Sequence, residues 1–323
     1  MGLVVTQHSA LSTRHCYLAA DIGGTKLATG VVRRDGTVLA RCSAPTSGGQ
    51  DAEGLYRLLI GLLRRSLAEG KVPGSAIGAI GVGCGGPMLY PEGRVSPLNI
   101  PAWRDFPLRS RLEADFGAPA LVDNDAKAYA LGEYWVGAGR GARCLLGMVV
   151  STGVGGGIVQ DGRLFDGAHG NAGHIGHVVV FPNGPRCACG ARGCLEAIAS
   201  GPNLACRAAA ALASGSPSQL PSNPTGPDLE AAAAAGDRLA LRLFRQAGVA
   251  LGRGIAGASA LLDLDRVVIG GGVANAARFF MPALRRELAA RSQLDFTYSL
   301  PVEIATHTVD AALAGAARLV MTE

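Results

Sequence analysis

Two histidines and three cysteines crowd one stretch of this chain. They run His174-Ile175-Gly176-His177, then Cys187-Ala188-Cys189-Gly190-Ala191-Arg192-Gly193-Cys194. Thiolate and imidazole together suit Zn²⁺, which takes four such ligands in a tetrahedron. The intervening glycines let the backbone turn tightly enough to bring the ligands to one point. Cys187, Cys189 and Cys194 supply three ligands, and either His174 or His177 completes the set. Four protein ligands leave no open coordination position, so the ion is expected to be structural rather than catalytic.

A second group of residues carries different chemistry. Asp123-Asn124-Asp125 follows a short apolar run and opens a helical one. One reading is a helix N-cap, a role these side chains fill well. The other is a carboxylate at a strand end, with Asp125 as general base toward a hydroxyl nucleophile and the Asn124 amide holding the substrate. Three polar or glycine-rich turns also follow apolar strands. They are Asp21-Ile22-Gly23-Gly24-Thr25-Lys26, Thr152-Gly153-Val154-Gly155-Gly156-Gly157 and Gly270-Gly271-Gly272-Val273. Each alone reads as a plain turn or as a cradle of N–H groups for phosphate, with Asp21 placed to orient Mg²⁺ through water. Three on successive strand ends favour the cradle, and with it the catalytic reading of Asp125. None has the Walker A spacing.

The elements that must position these groups come in two similar series. In the first, strands at 17–21, 26–33 and 38–42 surround a hairpin turn at Arg34-Asp35-Gly36-Thr37. An amphipathic helix at 51–69 follows, its apolar face marked by Leu55, Leu58, Leu59, Leu62, Leu63 and Leu67. Then come a strand at 77–82, a helix at 108–116, a strand at 120–123 and a helix at 126–136. The second series has strands at 144–150 and 158–159, then the cysteine stretch. Helices follow at 203–212 and 229–261, the latter broken at Ala235-Gly236. A strand at 266–269, a helix at 281–291, a strand at 302–306 and a helix at 311–321 close the chain. Residues 1–15 read as a loose leader and 214–227 as a loop. Two α/β domains with a cleft between them are expected, residues 1–124 plus 307–323 and residues 125–306, hinged near Asn124-Asp125.

Composition narrows the function. A chain of 323 residues with 48% hydrophobic content is long enough for two cores. It contains no apolar run of the ~18 residues a membrane span needs, and no secretion signal. The net charge of +5 comes from scattered arginines, with only three lysines, so a solvated surface is favoured over nucleic-acid binding. Eight cysteines with one metal-like cluster point to a reduced, cytoplasmic chain rather than a disulfide scaffold.

These motifs together resemble the ROK family of sugar kinases and repressors, over residues 17–317. The most specific part runs from Gly173-His174-Ile175-Gly176-His177 through Cys187-x-Cys189-Gly190-x-x-Gly193-Cys194-Leu195-Glu196 to Ala199-Ser200-Gly201. The resemblance implies a duplicated actin/hexokinase-like α/β fold closing over its substrate, ATP and Mg²⁺ as partners in catalysis, and a homodimer or homotetramer. It implies Asp125 as the base toward a hexose 6-hydroxyl, and Asn124, Asn99, Glu196, His174 and His177 around the sugar. It implies Asp21, Gly23, Gly24, Thr25, Lys26, Thr152, Gly153, Gly155, Gly271 and Gly272 around the nucleotide. His177 with Cys187, Cys189 and Cys194 would hold Zn²⁺. The Asn99–Trp103 segment is similar to that of glucokinases, whereas Ala172–His177 is similar to that of N-acetylmannosamine kinases. Glucose is the expected substrate and N-acetylmannosamine the alternative, with ATP or polyphosphate as donor. A sugar-sensing transcriptional regulator is disfavoured, because about twenty residues precede Asp21, too few for a helix-turn-helix domain.

Overall fold

The computed structural model describes residues 16–46, 51–306 and 308–321. The leader expected at 1–15 lies outside them. The chain divides into two units, one running to Val136 and resuming at Val309, the other Gly137–Thr308.

The first unit opens with β1 (Cys16–Ile22), β2 (Lys26–Arg33) and β3 (Val38–Pro45), then α1 (Ala52–Glu69). It continues with β4 (Ile77–Cys84), the short pair β5 (Met88–Leu89) and β6 (Arg94–Val95), α2 (Leu108–Phe116), β7 (Ala120–Asn124) and α3 (Asp125–Val136). The sheet order is β3-β2-β1-β4-β7. β1 runs antiparallel to β2 and parallel to β4, and β4 runs parallel to β7. β1 is buried on both faces, which explains its unbroken apolar run. Leu18, Ala20 and Ile22 join Leu55, Leu59 and Leu63 of α1, while Tyr17 and Ala19 join the opposite cluster with Ala128 and Leu313. α1 forms where its leucine periodicity predicts, and the Asp51 carboxylate caps it by accepting from the Gly54 N–H at 2.6 Å.

The second unit repeats the plan. It contains β8 (Cys144–Val150), β9 (Val154–Gln160), β10 (Arg163–Leu164), α4 (Glu196–Ala199), α5 (Gly201–Ala213), α6 (Gly226–Ala234) and α7 (Arg238–Leu262). Then come β11 (Arg266–Gly270), α8 (Ala277–Arg291) and β12 (Val302–Ile304). The sheet order β10-β9-β8-β11-β12, with two antiparallel pairs followed by two parallel ones, matches the first sheet strand for strand. Two expectations are corrected. β9 begins at Val154, not 158, so Gly155, Gly156 and Gly157 are ladder residues opposite Val149, Met148 and Gly147. α8 begins at Ala277, four residues before the expected start, with Pro282 inside it. The buried Phe280, Met281 and Leu284 on its inner face hold it together across the hydrogen bond the proline removes.

The domain boundary is also corrected. α3 belongs to the first unit, with α9 (Thr308–Arg318) beside it, and the boundary falls after Val136 rather than before Asp125. The two helices touch backbone to backbone. A Cβ on Gly132 would lie 1.7 Å from the Ala311 carbonyl oxygen, and one on Gly315 would lie 1.7 Å from that of Ala128. α9 also meets the sheet, where a Cβ on Gly81 would reach the Ala316 carbonyl oxygen at 1.7 Å. Alanine is the better helix former by about 1 kcal/mol. Gly132→Ala is nonetheless expected to destabilise the protein by about 1–3 kcal/mol through overpacking, read as a lowered denaturant midpoint. A midpoint equal to or above the parent's would show that α3 and α9 separate easily.

Candidate active site and metal centre

Asp125 is the first residue of α3, directly after β7. Both readings of Asn124-Asp125 hold together in the structure. The Asn124 Oδ1 accepts from the Ala126 N–H at 3.0 Å and the Lys127 N–H at 3.4 Å, so Asn124 is the N-cap. Its amide nitrogen is left to donate to a ligand. The Asp125 Oδ1 accepts from the Ala126 N–H at 2.9 Å. Burial pushes the Asp125 carboxyl above its ordinary range, against the pull of those backbone N–H groups. β4 passes close beneath this turn, where a Cβ on Gly83 would stand 3.2 Å from the Asp125 Cα.

The first glycine turn is part of the same unit. Burial first, then the charge of Asp125, pushes the Asp21 carboxyl up to about 7, and Lys26 partly offsets this. The Cys84 thiol at the end of β4 is driven well above its ordinary value by burial and by the same two carboxylates. Asp21, Cys84 and Asp125 thus form one electrostatic cluster at the ends of β1, β4 and β7, and its two carboxylates are the oxygen donors that a hard divalent cation takes. The Gly23 N–H donates to the Lys26 carbonyl at 3.0 Å, closing the turn. The N–H groups of Gly24 and Thr25 have no backbone acceptor among the described residues, as a phosphate cradle requires. Asn99 packs directly on this turn, its Cβ 2.5 Å from where a Cβ on Gly24 would be. Its segment is anchored by Trp103, fully buried, stacked on Phe106 with centroids 4.7 Å apart and donating to the Ala52 carbonyl at 3.1 Å.

In the second unit the metal-like residues converge. One ligand atom each from His177, Cys187, Cys189 and Cys194 lies within 4.8 Å of every other. The Cys189 and Cys194 sulfurs are 3.7 Å apart, and the Cys187 sulfur is 3.8 Å from the His177 Nδ1. A tetrahedron with bonds of about 2.3 Å has edges of about 3.8 Å, so the donors stand at metal-binding spacing. His174 is outside this set, its ring centroid 6.2 Å from that of His177.

Glu196 sits at the start of α4, two residues after Cys194. Its Oε2 accepts from the Val154 N–H at 2.9 Å, so the carboxylate braces the Ser151–Val154 turn. Among the described residues, the backbone N–H groups of Thr152 and Gly153 make no backbone bond. Gly271, at φ +92°, backs against this turn, with its would-be Cβ 2.5 Å from the Val150 carbonyl oxygen. The second and third turns are therefore adjacent. Gly155 is not part of a loop. The glycines of β9 instead admit the histidine segment, since a Cβ on Gly156 would meet the Gly173 carbonyl at 3.1 Å and one on Gly176 the Val154 carbonyl at 1.9 Å. Sequence reading missed Gly83, Cys84 and Lys127. Lys127 alone carried a signal, as a lysine on a helix whose other early residues are apolar.

The family model described as "ROK family" matches residues 17–323. A glucokinase from Halalkalibacterium halodurans is 35% identical over 314 residues, 94% of each chain. An N-acetylmannosamine kinase from Citrobacter koseri is 38% identical over 305 residues, 94% of this chain and 97% of the other. Among solved structures, a ROK family glucokinase from Streptomyces griseus in complex with glucose and AMPPNP superposes with a TM-score of 0.79. It is 30% identical, over 94% of this chain and 98% of that one.

The Asp21 environment has a testable consequence. A carboxyl raised from 3.8 to about 7 contributes stability that is fully present below its ordinary value and lost as pH rises through 7. Asparagine cannot ionise. In ligand-free protein, Asp21→Asn is expected to melt higher than the parent at pH 8, the gain vanishing as the pH falls toward 4. Scanning calorimetry at both pH values checks this, and a gain that is absent at pH 8 or constant across the range would contradict it.

Proposed function

Because the chain belongs to the ROK family, we propose that it is a sugar kinase that transfers the γ-phosphoryl group of ATP to the 6-hydroxyl of a hexose. The observation that carries this reading is Asp125: a desolvated carboxylate at a strand end, backed by Gly83 and flanked by the capping amide of Asn124. Its raised affinity for protons suits a base that must take one from an alcohol. Asp125 removes the proton from the sugar hydroxyl as that oxygen bonds to the γ-phosphorus. The bond from phosphorus to the β-bridging oxygen breaks, and ADP leaves. Asn124 and Asn99 orient the sugar, while Glu196 and His174 recognise its other hydroxyls. The turns at Gly23–Thr25, Thr152–Gly153 and Gly271–Gly272 bind the phosphates, so that catalysis rests mainly on positioning. Asp21 would hold Mg²⁺, which when bound would supply charge neutralisation on the phosphates.

Glucose is the proposed acceptor. Asn99, seated on the Gly24 turn, supports it, and the glucokinase relatives are in keeping. The histidine at 174 and the N-acetylmannosamine kinase relatives favour the second reading. A neutral imidazole both donates and accepts, which suits an acetamido neighbour better than a carboxylate would. A coupled assay with glucose, mannose, fructose, N-acetylglucosamine and N-acetylmannosamine, run with ATP and with polyphosphate, is expected to give the highest kcat/KM for glucose and ATP. A higher value for N-acetylmannosamine would transfer the assignment to it. Asp125→Asn is expected to lose at least ~10²-fold in kcat while still binding sugar. A variant retaining most of its kcat would remove Asp125 from the role of base.

The metal at His177, Cys187, Cys189 and Cys194 is proposed to be Zn²⁺ in a structural role, with all four positions taken by protein. Chelation is expected to lower both the melting temperature and the sugar affinity, because the same segment carries His174 and leads into Glu196. If metal-free protein melts and binds sugar as the parent does, the structural role is wrong.

A further inference from the structure

Behind the base lies an ion pair that the proposed mechanism does not use. The Lys127 ammonium is 2.8 Å from the Asp123 Oδ2, and the two side chains are only 2% and 3% exposed. The other oxygen of Asp123 accepts from the Asn124 N–H at 2.6 Å. A buried pair of this kind is a poor source of net stability, since desolvation offsets much of the attraction. It does select one arrangement of the backbone between its ends. Here the ends are the end of β7 and the first turn of α3, and Asp125 is the middle one of the three residues between Asp123 and Lys127.

The surroundings of the pair all converge on the same point. Asp123 pairs in register with Gly83, and Gly83 is also the residue packed beneath the Asp125 Cα. The Lys127 ammonium stands 5.3 Å from the centre of the Tyr90 ring, which ties the junction to the segment between β5 and β6. The Asn124 cap, one of whose two bonds is 3.4 Å long, and the register of β7 with β4 act at the same junction.

We infer that Lys127 is a positioning residue for the base. Through the buried bond to Asp123 it holds the β7–α3 junction so that the Asp125 carboxylate faces the sugar hydroxyl. This rests on the reading of Asp125 as the base. A shift of about 1 Å in a reacting group costs on the order of 10²-fold in rate.

Lys127→Met keeps the length of the side chain and removes the ammonium. It is expected to lower kcat by about 10- to 100-fold with KM for sugar and for ATP within about twofold. Lys127→Ala is expected to behave likewise and to regain kcat when ethylammonium, but not sodium chloride at equal ionic strength, refills the space beside Asp123. A folded Lys127→Met with the parent's kcat would overturn the inference, whatever its melting temperature, because a merely structural tie changes stability and not kcat. If Lys127→Met does not fold, Lys127→Gln, which keeps a donor at that place, takes its part in the comparison. Asp125→Asn is assayed in parallel. If Asp125→Asn is inactive and Lys127→Met is fully active, the positioning role alone fails. If Asp125→Asn is active, or no sugar is turned over, the base assignment fails. The crystal structure of Lys127→Met then decides the positioning role: an Asp125 carboxylate displaced by about 1 Å or more supports it, and an unmoved one refutes it.

Discussion

Close packing around the candidate site depends, at several of the described positions, on a missing side chain. β4 reaches the first turn of α3 because Gly83 has no Cβ to strike the Asp125 Cα. Asn99 lies on the Gly23–Thr25 turn because Gly24 leaves it space, and the histidine segment lies on β9 because Gly156 and Gly176 do the same. Interiors pack at crystal-like density, so an added methyl at any of these places must displace backbone rather than fill a void. The residues proposed for chemistry are thus held by their distance from neighbouring strands more than by long side-chain networks.

A second constraint is charge. Asp21, Asp123 and Asp125 all lie at the ends of β1 and β7 or just beyond, Asp123 buried and the other two half-buried. Asp123 is paired with Lys127, whereas the proton affinity of Asp21 is raised by burial and by the charge of Asp125, and that of Asp125 by burial. The cluster therefore divides into one carboxylate in a buried ion pair and two without such a partner cation at contact distance among the described residues. In the second unit Glu196 plays a comparable double part. One of its oxygens braces the Val154 N–H, and the other remains for an acceptor role, on a segment whose path is set by the cysteine cluster.

Much of the fold was legible because apolar periodicity and turn chemistry agree locally. The leucines of α1, the hairpin at Asp35-Gly36 and the paired series of strands all form as their spacing predicts. The readings that failed did so for non-local reasons. Gly155–Gly157 resemble a loop in sequence, yet they are a strand whose missing side chains make room for residues about twenty positions later. The helix expected at 281–291 begins at Ala277, because burial of Phe280 and Met281 carries it through Pro282. The helix after Asp125 reads as the opening of a second domain, and its packing on β4, β7 and α9 places it in the first unit.

The sequence by itself determined the elements, the duplicated plan, the residue types capable of acid–base and metal chemistry, and the family, because these depend on spacing along the chain. It left open which of His174 and His177 lies beside the cysteines and whether Asn124 caps a helix. Tertiary structure supplies that geometry. His177 alone of the two histidines comes within metal-binding distance of the three thiols. Asn124 caps with its oxygen and keeps its nitrogen. Lys127 turns inward to Asp123, and that choice depends on the space and charge supplied by residues distant in sequence, which no local pattern records.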